Sequence, residues 1–182
     1  MKRIVVQDQF KQYMKRIKGY VGKNDPLKMQ AAYPAKLKRA VSGLSKAQLL
    51  RRPRPKKWCI QEILGHLADT EVVYGWRLRM MLAQPGLPIQ PYDQDVWAKN
   101  LRYQRQPVAK LVEQIRVLRE ANLRLLKSVP RPWWNRYGMH LERGKETVGR
   151  TVVLLAGHDI NHLNQIAAIR KQFGWPAPSR TR

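Results

Sequence analysis

Two histidines lie four residues apart in the segment Ala156 to Gln165, whose sequence is AGHDINHLNQ. Residues i and i+4 of an α-helix lie on the same face, so His158 and His162 can direct both imidazoles at one ligand. A metal ion is the ligand that such a pair predicts. An isolated pair of this kind is nevertheless more often structural, because its spacing supplies no third ligand. The hypothesis of a metal site therefore depends on another residue elsewhere in the chain.

The chain has only two further histidines, His66 and His140. His66 lies in the segment WCIQEILGHLADTE, beside the apolar stripe of a long predicted helix, and can therefore face the interior of a helical bundle. We predict that it is the third ligand, although a single helical histidine is more often held by ordinary hydrogen bonds. His140 lies in the segment GMHLERGKET, which we predict to be a loop, and hydrogen bonding is favoured there over metal coordination.

Two carboxylates flank His66 at a distance of about one helical turn, Glu62 before it and Asp69 after it. From these positions a carboxylate can orient the imidazole or act as a general base, so Asp69 and Glu62 are the candidate catalytic residues. Glu62 has an alternative role, since it can support the helix N-terminus from the third helical position. Half of the chain's 12 acidic residues belong to one group, which favours a cation-binding neighbourhood in so basic a protein: Glu62, Asp69, Glu71, Asp93, Asp95 and Asp159.

The elements that must position these side chains are predicted to be helices, and no segment has a convincing strand pattern. Apolar residues recur at helical spacing in segments that Pro and Gly separate. The predicted helices cover residues 25–45 with Gly43 near the end, residues 59–83, residues 107–125, and residues 147–173 with Thr147 as N-cap. Pro34 lies inside the first of them, which predicts a kink or a later helix start.

Four long amphipathic helices in 182 residues predict an all-α fold, a four-helix bundle whose interior can bring ligands from different helices together. Residues 84–106 form a long connection that allows a crossover between the second and third helices. An additional amphipathic helix precedes the bundle, and we expect it to pack there, with a partner or membrane surface as the alternative. Its apolar stripe consists of Val6, Phe10, Tyr13, Met14, Ile17 and Val21.

The composition is strongly basic, with 36 Lys and Arg against 12 Asp and Glu, a formal net charge of +24 and a sequence pI near 10.9. Residues 1–57 alone carry 17 basic and 2 acidic side chains. Such a balance predicts nonspecific attraction to nucleic acid or another polyanion, but it also occurs on proteins with a merely solvated basic surface. No base-reading motif is identifiable in the N-terminal region.

The single cysteine, Cys59, excludes an intrachain disulfide and a cysteine-based zinc cluster. No run approaches the roughly 18 apolar residues that a membrane span needs, and the N-terminus lacks the apolar segment of a signal peptide. We therefore expect a cytoplasmic protein without a transmembrane segment.

Three segments, KKWCIQEILGHLADTE, PYDQDVWAKN and GMHLERGKETVGRTVVLLAGHDINHLNQIAAI, resemble the corresponding segments of the DinB-like (DinB/YfiT) superfamily. The resemblance covers about residues 27–172. It implies a four-helix bundle with an up-down-down-up arrangement, in which three histidines hold a divalent metal ion such as nickel, zinc or iron. By motif position, the implied ligands are His66, His158 and His162.

The same resemblance implies either a metal-dependent hydrolase or, by kinship with bacillithiol and mycothiol transferases, a metal-assisted thiol S-transferase. It divides the chain into a basic N-terminal extension (1–24), a DinB-like bundle (25–175) and a basic C-terminal tail (176–182). Cys59 is a departure, because such sequences usually have Ser or Thr there to cap the second helix. We expect fraying at this helix start unless Glu62 or the preceding loop compensates. A packed thiol is the favoured interpretation of Cys59, with a reactive thiol as the alternative.

Two classes of function follow. In the first, the protein is a metal enzyme acting on an unidentified small-molecule substrate, because three imidazole ligands leave a coordination position open. In the second, it is a basic protein that binds nucleic acid or another polyanion and retains a vestigial metal site. The oligomeric state is left open, with a homodimer as one expectation. Metal content distinguishes the two classes.

Overall fold

The structure is a computed structural model that describes the backbone of residues 2–177 and the side chains of residues 12–177. Its α-helices are α1 (Lys2–Val21), α2 (Pro26–Val41), α3 (Lys46–Leu50), α4 (Ile60–Ala83), α5 (Gln94–Asn100), α6 (Val108–Ser128) and α7 (Val148–Gln172). Its strands are β1 (Pro88–Ile89), β2 (Tyr137–His140) and β3 (Gly144–Thr147), and two short 3-10 helices cover Tyr103–Arg105 and Arg131–Asn135. None of the described helices combines the length and the apolar character that a membrane span requires.

The bundle consists of the four long helices that the sequence predicts, α2, α4, α6 and α7, with boundaries close to the predicted ones. Helix α2 continues through Pro34. Its apolar side chains Tyr33, Leu37 and Val41 are buried against the other bundle helices, which stabilises the helix despite the missing N–H. The protein is therefore mostly helical, as the sequence predicts.

Polar groups at the helix starts define where α4 and α7 begin. The Glu62 carboxylate accepts a hydrogen bond from the backbone N–H of Cys59 through Oε2 at 2.9 Å, just before α4. Glu62 thus supports the helix start that a thiol caps poorly. At α7 the Thr147 hydroxyl accepts the Arg150 N–H at 3.1 Å, as expected of an N-cap.

The all-α prediction is incomplete, because the described residues also form a small three-stranded sheet. Strand β1 pairs in parallel with β2, and β2 pairs antiparallel with β3, so that His140 ends a strand where the sequence predicts a loop. These strands have only two to four residues, which is too short for an alternating pattern to be recognised. Gly138 permits the close approach of β1, because a Cβ atom there would lie 2.6 Å from Cδ1 of Ile89. Non-local pairing, which local patterns do not encode, creates the sheet.

Helix α1 packs against α7 on the outside of the bundle. Met14, Ile17 and Val21 of the predicted apolar stripe are buried, and the Ile17 backbone lies directly against Gly157 of α7. The side chains of Val6 and Phe10, and residues 178–182 of the predicted tail, lie outside the described residues. The described part of the N-terminal helix therefore follows the expected packing on the bundle.

Candidate metal centre

The three predicted ligands come together between α4 and α7. The Nε2 atom of His158 lies 3.1 Å from Nε2 of His66 and 3.1 Å from Nε2 of His162. One ligand atom from each of the three residues lies within 4.8 Å of the other two. The helical i, i+4 spacing places two of these imidazoles on one face of α7, and the bundle brings the third from α4.

These imidazoles are neutral at physiological pH. Burial lowers the pKa of His66 to about 3 and that of His162 to about 4. Burial and the two neighbouring imidazoles also hold the pKa of His158 well below its usual value. The Nδ1 atom of His162 donates to Oε1 of Gln165 at 2.9 Å, which leaves the Nε2 lone pair of His162 directed at the cluster.

The cluster fits a divalent cation. Imidazole nitrogens about 2.0–2.1 Å from a tetrahedral zinc ion would be separated by about 3.3 Å, close to the observed Nε2 separations. Three neutral imidazoles with ligand atoms this close together are a donor set that zinc, nickel and iron accept. Among the described residues, Nδ1 of His158 is buried without a hydrogen-bond partner. The metal would thus be held through Nε2 atoms, with Gln165 fixing one of the rings.

Behind this cluster lies a buried ion pair that the sequence patterns do not predict. Arg119 of α6 donates to Asp159 of α7 at 2.6 and 3.0 Å and to Glu71 of α4 at 2.9 Å from Nε. All three side chains are almost fully buried. The cation between these two acids is therefore the protein's own guanidinium. The helical spacing of α6 does indicate that Arg119 is buried, because Arg119 continues the series Leu111 and Ile115 on the buried face of this helix.

The two candidate catalytic carboxylates are held by other side chains. Oε1 of Glu62 accepts from Arg52 at 2.5 Å and from Gln104 at 3.0 Å, in addition to the Cys59 contact through Oε2. Oδ2 of Asp69 accepts from the Tyr103 hydroxyl at 2.5 Å. Neither carboxylate is among the side chains that line the cavity at the histidines. The structure thus brings the three imidazoles together but places Asp69 and Glu62 outside the cavity wall.

The remaining sequence candidates have structural contacts. Asp93 caps α5 by accepting the N–H groups of Asp95 and Val96 at 2.9 and 3.0 Å. His140 accepts the Glu142 N–H through Nδ1 at 3.2 Å, in agreement with the hydrogen-bonding role expected of it. Cys59 is fully buried, and burial raises the pKa of its thiol to about 11, which favours the packed interpretation over a reactive thiol.

The three imidazoles face an open cavity of about 790 Å³. Its wall combines α4 and α7 with parts of α1, the loop before α4, the start of α5 with the segment before it, and the β2–β3 hairpin. The aromatic side chains in this wall are Tyr13, Trp58, Tyr74 and Tyr92. A small molecule in the cavity would reach the histidine nitrogens and several aromatic and charged groups together.

A sequence profile of the DinB superfamily matches residues 31–166, which include all three clustered histidines. The chain belongs to the DinB superfamily. A relative from Oceanobacillus iheyensis is 28% identical over 142 residues, which are 78% of this chain and 82% of the relative. A relative from Bacillus cereus strain 03BB102 is 25% identical over 142 residues, with the same coverage of both chains. Both bear names that suggest, without asserting, a metal-dependent hydrolase.

The fold of this DinB-superfamily chain also occurs in a solved structure, that of YfiT from Bacillus subtilis. The two structures share a TM-score of 0.79 at 22% sequence identity, over 83% of this chain and 87% of YfiT. YfiT is described as having an unusual four-helix bundle topology and as a suspected metal-dependent hydrolase. At this level of identity the similarity establishes the four-helix bundle fold.

Proposed function

We propose that this DinB-superfamily protein is a metal-dependent hydrolase whose divalent ion is held by His66, His158 and His162. The observation that carries the proposal is the convergence of three neutral Nε2 atoms on the wall of an open cavity. The names of the relatives support hydrolysis. We therefore favour hydrolysis over thiol transfer and over the alternative of a polyanion-binding protein with a vestigial site.

Three protein ligands leave a coordination position for substrate or water, as in catalytic zinc sites. When bound, a divalent ion would supply Lewis-acid polarisation and lower the pKa of water. The chain's own part is to orient the ligands: Gln165 fixes the His162 ring, and the Arg119 ion pair holds Asp159, the neighbour of His158 in α7. We propose no preference among nickel, zinc and iron.

Asp69 and Glu62 remain proposed general-base candidates, with Asp69 ahead of Glu62. Both oxygens of Glu62 accept hydrogen bonds, whereas only Oδ2 of Asp69 accepts one from the residues that the structure describes. The contacts of Glu62 favour a structural role at the start of α4. Because both side chains lie outside the cavity wall, Asp69→Asn tests the role directly: a lower kcat, with less effect on stability than Glu62→Gln, which disrupts the helix cap, would support Asp69 as the base.

We also propose the up-down-down-up order. Helices α4 and α6 run in the same direction, because the contacting residue numbers increase together along both. Ala68 contacts Gln114 at 3.5 Å, and Arg79 contacts Asn122 at 3.0 Å. Helices α2 and α7 also run in the same direction, because Gln30 contacts Val152 and Ala40 contacts Arg170. The parallel α4–α6 and α2–α7 pairs support this order. We also propose that the bundle domain comprises residues 25–175, with residues 1–24 as an extension and residues 176–182 as a tail.

Metal content tests the site. Untagged protein, purified without nickel resin, should contain about one divalent ion per chain by elemental mass spectrometry. His66→Ala, His158→Ala and His162→Ala should each remove most of it, because a three-ligand site loses affinity when one ligand is deleted. His140→Gln is the matched control and should retain the ion. Full occupancy in the His158→Ala/His162→Ala double variant would contradict the assignment.

Hydrolytic activity is tested separately on a panel of small esters and amides. Activity should disappear when a chelator removes the ion and return when the ion is restored, and the single-histidine variants should stay inactive. A wild-type protein that binds the ion but hydrolyses none of the panel would leave the metal assignment intact and count against hydrolysis of esters and amides.

A further inference from the structure

The cavity at the three histidines has an uneven distribution of charge. Its cationic side chains are Arg16, Lys56, Lys57, Arg77 and Arg143, whereas its acidic side chains are Asp95, Glu142 and Glu146. The histidines contribute no charge when neutral, and a bound divalent ion would add to the positive excess. A cavity of this composition attracts anionic small molecules in preference to neutral or cationic ones.

Arg77 of α4 is a cation in this wall whose guanidinium is fixed by uncharged groups. Its Nη2 donates to the Gln90 carbonyl at 2.5 Å, and its guanidinium carbon lies 5.9 Å from the centre of the Tyr92 ring. In the part of the chain that the structure describes, no carboxylate forms an ion pair with Arg77. The guanidinium is thus held in place by a carbonyl and an aromatic ring, while Glu146, the acid that acts on its charge, forms its ion pair with Arg143.

A second guanidinium, that of Arg143 in the β2–β3 hairpin, lies in the same wall. It is fixed by buried Glu146, with its Nε 2.8 Å from Oε1 and its Nη2 3.0 Å from Oε2. Burial together with Arg143 lowers the pKa of Arg77, and burial together with both arginines lowers the pKa of His140 to about 3. An oxyanion beside Arg77 would relieve this accumulation of positive charge.

We propose that the wall formed by Arg77 and the Arg143–Glu146 pair binds an oxyanion group, a carboxylate or a phosphate, of the small-molecule substrate. The proposal rests on the proposed function, since it places the anion-bearing substrate in the cavity of the three histidines. Guanidinium groups suit such anions because their N–H donors match two oxygens at once. Tyr92 and Trp58, in the same cavity, favour an apolar or aromatic body on the substrate.

Helix α1 contributes side chains to the cavity, although it lies outside the residues that match the DinB superfamily. Tyr13 and Arg16 of α1 line the cavity, and the match to the DinB superfamily begins only at residue 31. The guanidinium carbon of Arg16 lies 5.5 Å from the centre of the Tyr13 ring. The N-terminal helix therefore contributes a cation to the anion-binding cavity that the family resemblance alone does not imply.

Binding of benzoate, phenyl phosphate and benzamide, measured by calorimetry, tests the proposal. Benzamide is the neutral analogue of benzoate, so the protein should bind at least one of the two anions about tenfold or more tightly than benzamide. Benzoate and phenyl phosphate distinguish the two oxyanions. Because an anion can also bind a metal ion, the titrations are repeated on the His158→Ala/His162→Ala protein without added metal, where the preference should persist.

Arg77→Gln should weaken binding of the preferred anion about tenfold or more in both backgrounds, and Arg77→Lys should recover part of the loss. Arg116→Gln removes an exposed arginine of α6 outside the cavity and should leave the affinity unchanged. Circular dichroism verifies that each variant is folded. Equal affinity for the anions and benzamide, or an unchanged affinity in Arg77→Gln, would overturn the proposal. Loss of the preference only in the metal-free background would assign the anion to the metal and also overturn it.

Absence of a metal ion from the wild-type protein would contradict the proposed function but not the proposed oxyanion site. Anion preference that depends on Arg77 would still support the oxyanion site in that case. The two proposals therefore fail on different measurements.

Discussion

Arg119 is the residue whose loss should affect stability most directly. It is buried with Glu71 and Asp159 and also donates to the Gln30 carbonyl at 3.2 Å. Arg119→Ala would leave two buried carboxylates without their cation, so we expect the free energy of unfolding to fall by about 3–5 kcal/mol. Urea denaturation of wild type and variant measures this change.

Arg116, one turn earlier on α6, provides the comparison. It pairs with Glu113 and Glu120 on the exposed surface, where solvent screens the attraction and ion pairs contribute little to stability. Arg116→Ala should therefore change the free energy of unfolding far less than Arg119→Ala does. Equal losses in the Arg116 and Arg119 variants would show that the buried ion pair does not hold the helices together.

His140 makes a prediction about acid stability. Burial lowers its pKa from 6.5 to about 3, so the unfolded chain takes up a proton on this residue between these pH values and the folded chain does not. This difference leaves stability unaffected above pH 6.5 and reduces it as the pH falls from 6.5 towards 3. In His140→Gln, the free energy of unfolding should fall less steeply with decreasing pH. The slope should be smaller by up to the contribution of about one bound proton.

Urea denaturation at several pH values from about 4 to about 7.5 measures the two slopes. Comparing slopes separates proton uptake from any constant loss of packing in the variant. Parallel pH profiles for the two proteins would contradict the assignment of this proton to His140.

At the residue scale, the three clustered histidines could be predicted because two of them share a helix face and the third lies on another amphipathic helix. The acids could not be assigned in the same way. Glu71 and Asp159 have the residue types of a cation site, but their partner Arg119 comes from a third helix. Pairing between distant helices depends on packing, which the local spacing of acids does not specify.

The helices and strands differ in how far the sequence determines them. Helix α6 repeats its apolar positions over 21 residues, so its periodicity is readable, whereas β1 has two residues and exists only through its pairing with β2. The sequence also predicts where α7 ends, but it does not predict which residues the end of this helix contacts. Buried Arg170 there donates to the carbonyls of Ala40 and Ser42 at 3.0 and 3.2 Å, joining α7 to the end of α2.

The contact between α1 and α7 depends on Gly157. A Cβ atom at this position would overlap with Cγ2 and the backbone carbonyl of Ile17, so α1 would have to move. We expect Gly157→Ala to lower the free energy of unfolding by about 1–3 kcal/mol, as overpacking does. Differential scanning calorimetry measures the loss of stability.

Gly19 is the matched control because it lies in α1 and faces open space. A Cβ atom at this position would have no neighbour within 4 Å among the described residues. Gly19→Ala should raise stability by about 0.5–1 kcal/mol, since alanine loses less entropy than glycine in a helix. If both glycine variants were stabilised, close packing of α1 on α7 would be contradicted.

At the scale of the whole molecule, charge and fold have separate consequences. The formal net charge of +24 affects association with polyanions, while the bundle and its histidine cluster carry the family likeness. The net charge therefore does not predict the metal site, and the histidine spacing does not predict the net charge. The cavity joins the two, because basic side chains from several elements surround the histidines.

The same charge predicts nonspecific binding to duplex DNA that weakens steeply with salt. Each phosphate contact contributes about −0.9 to the slope of log affinity against log salt concentration. Lys15, Lys18 and Lys23 are exposed in the basic N-terminal region. Replacing all three by Gln should make the slope shallower by up to about 2.7 if each contacts a phosphate.

Fluorescence anisotropy with two unrelated duplexes, over a series of salt concentrations, measures the slope for each protein. Replacement of the exposed lysines Lys99, Lys110 and Lys127 by Gln is the control with the same change in net charge. If the N-terminal lysines form the contact surface, their variant should have the shallower slope, and both duplexes should bind equally. Equal slopes in the two triple variants would instead attribute the attraction to net charge, and tight binding to one duplex at high salt would favour a sequence-specific nucleic-acid function over the proposed hydrolase.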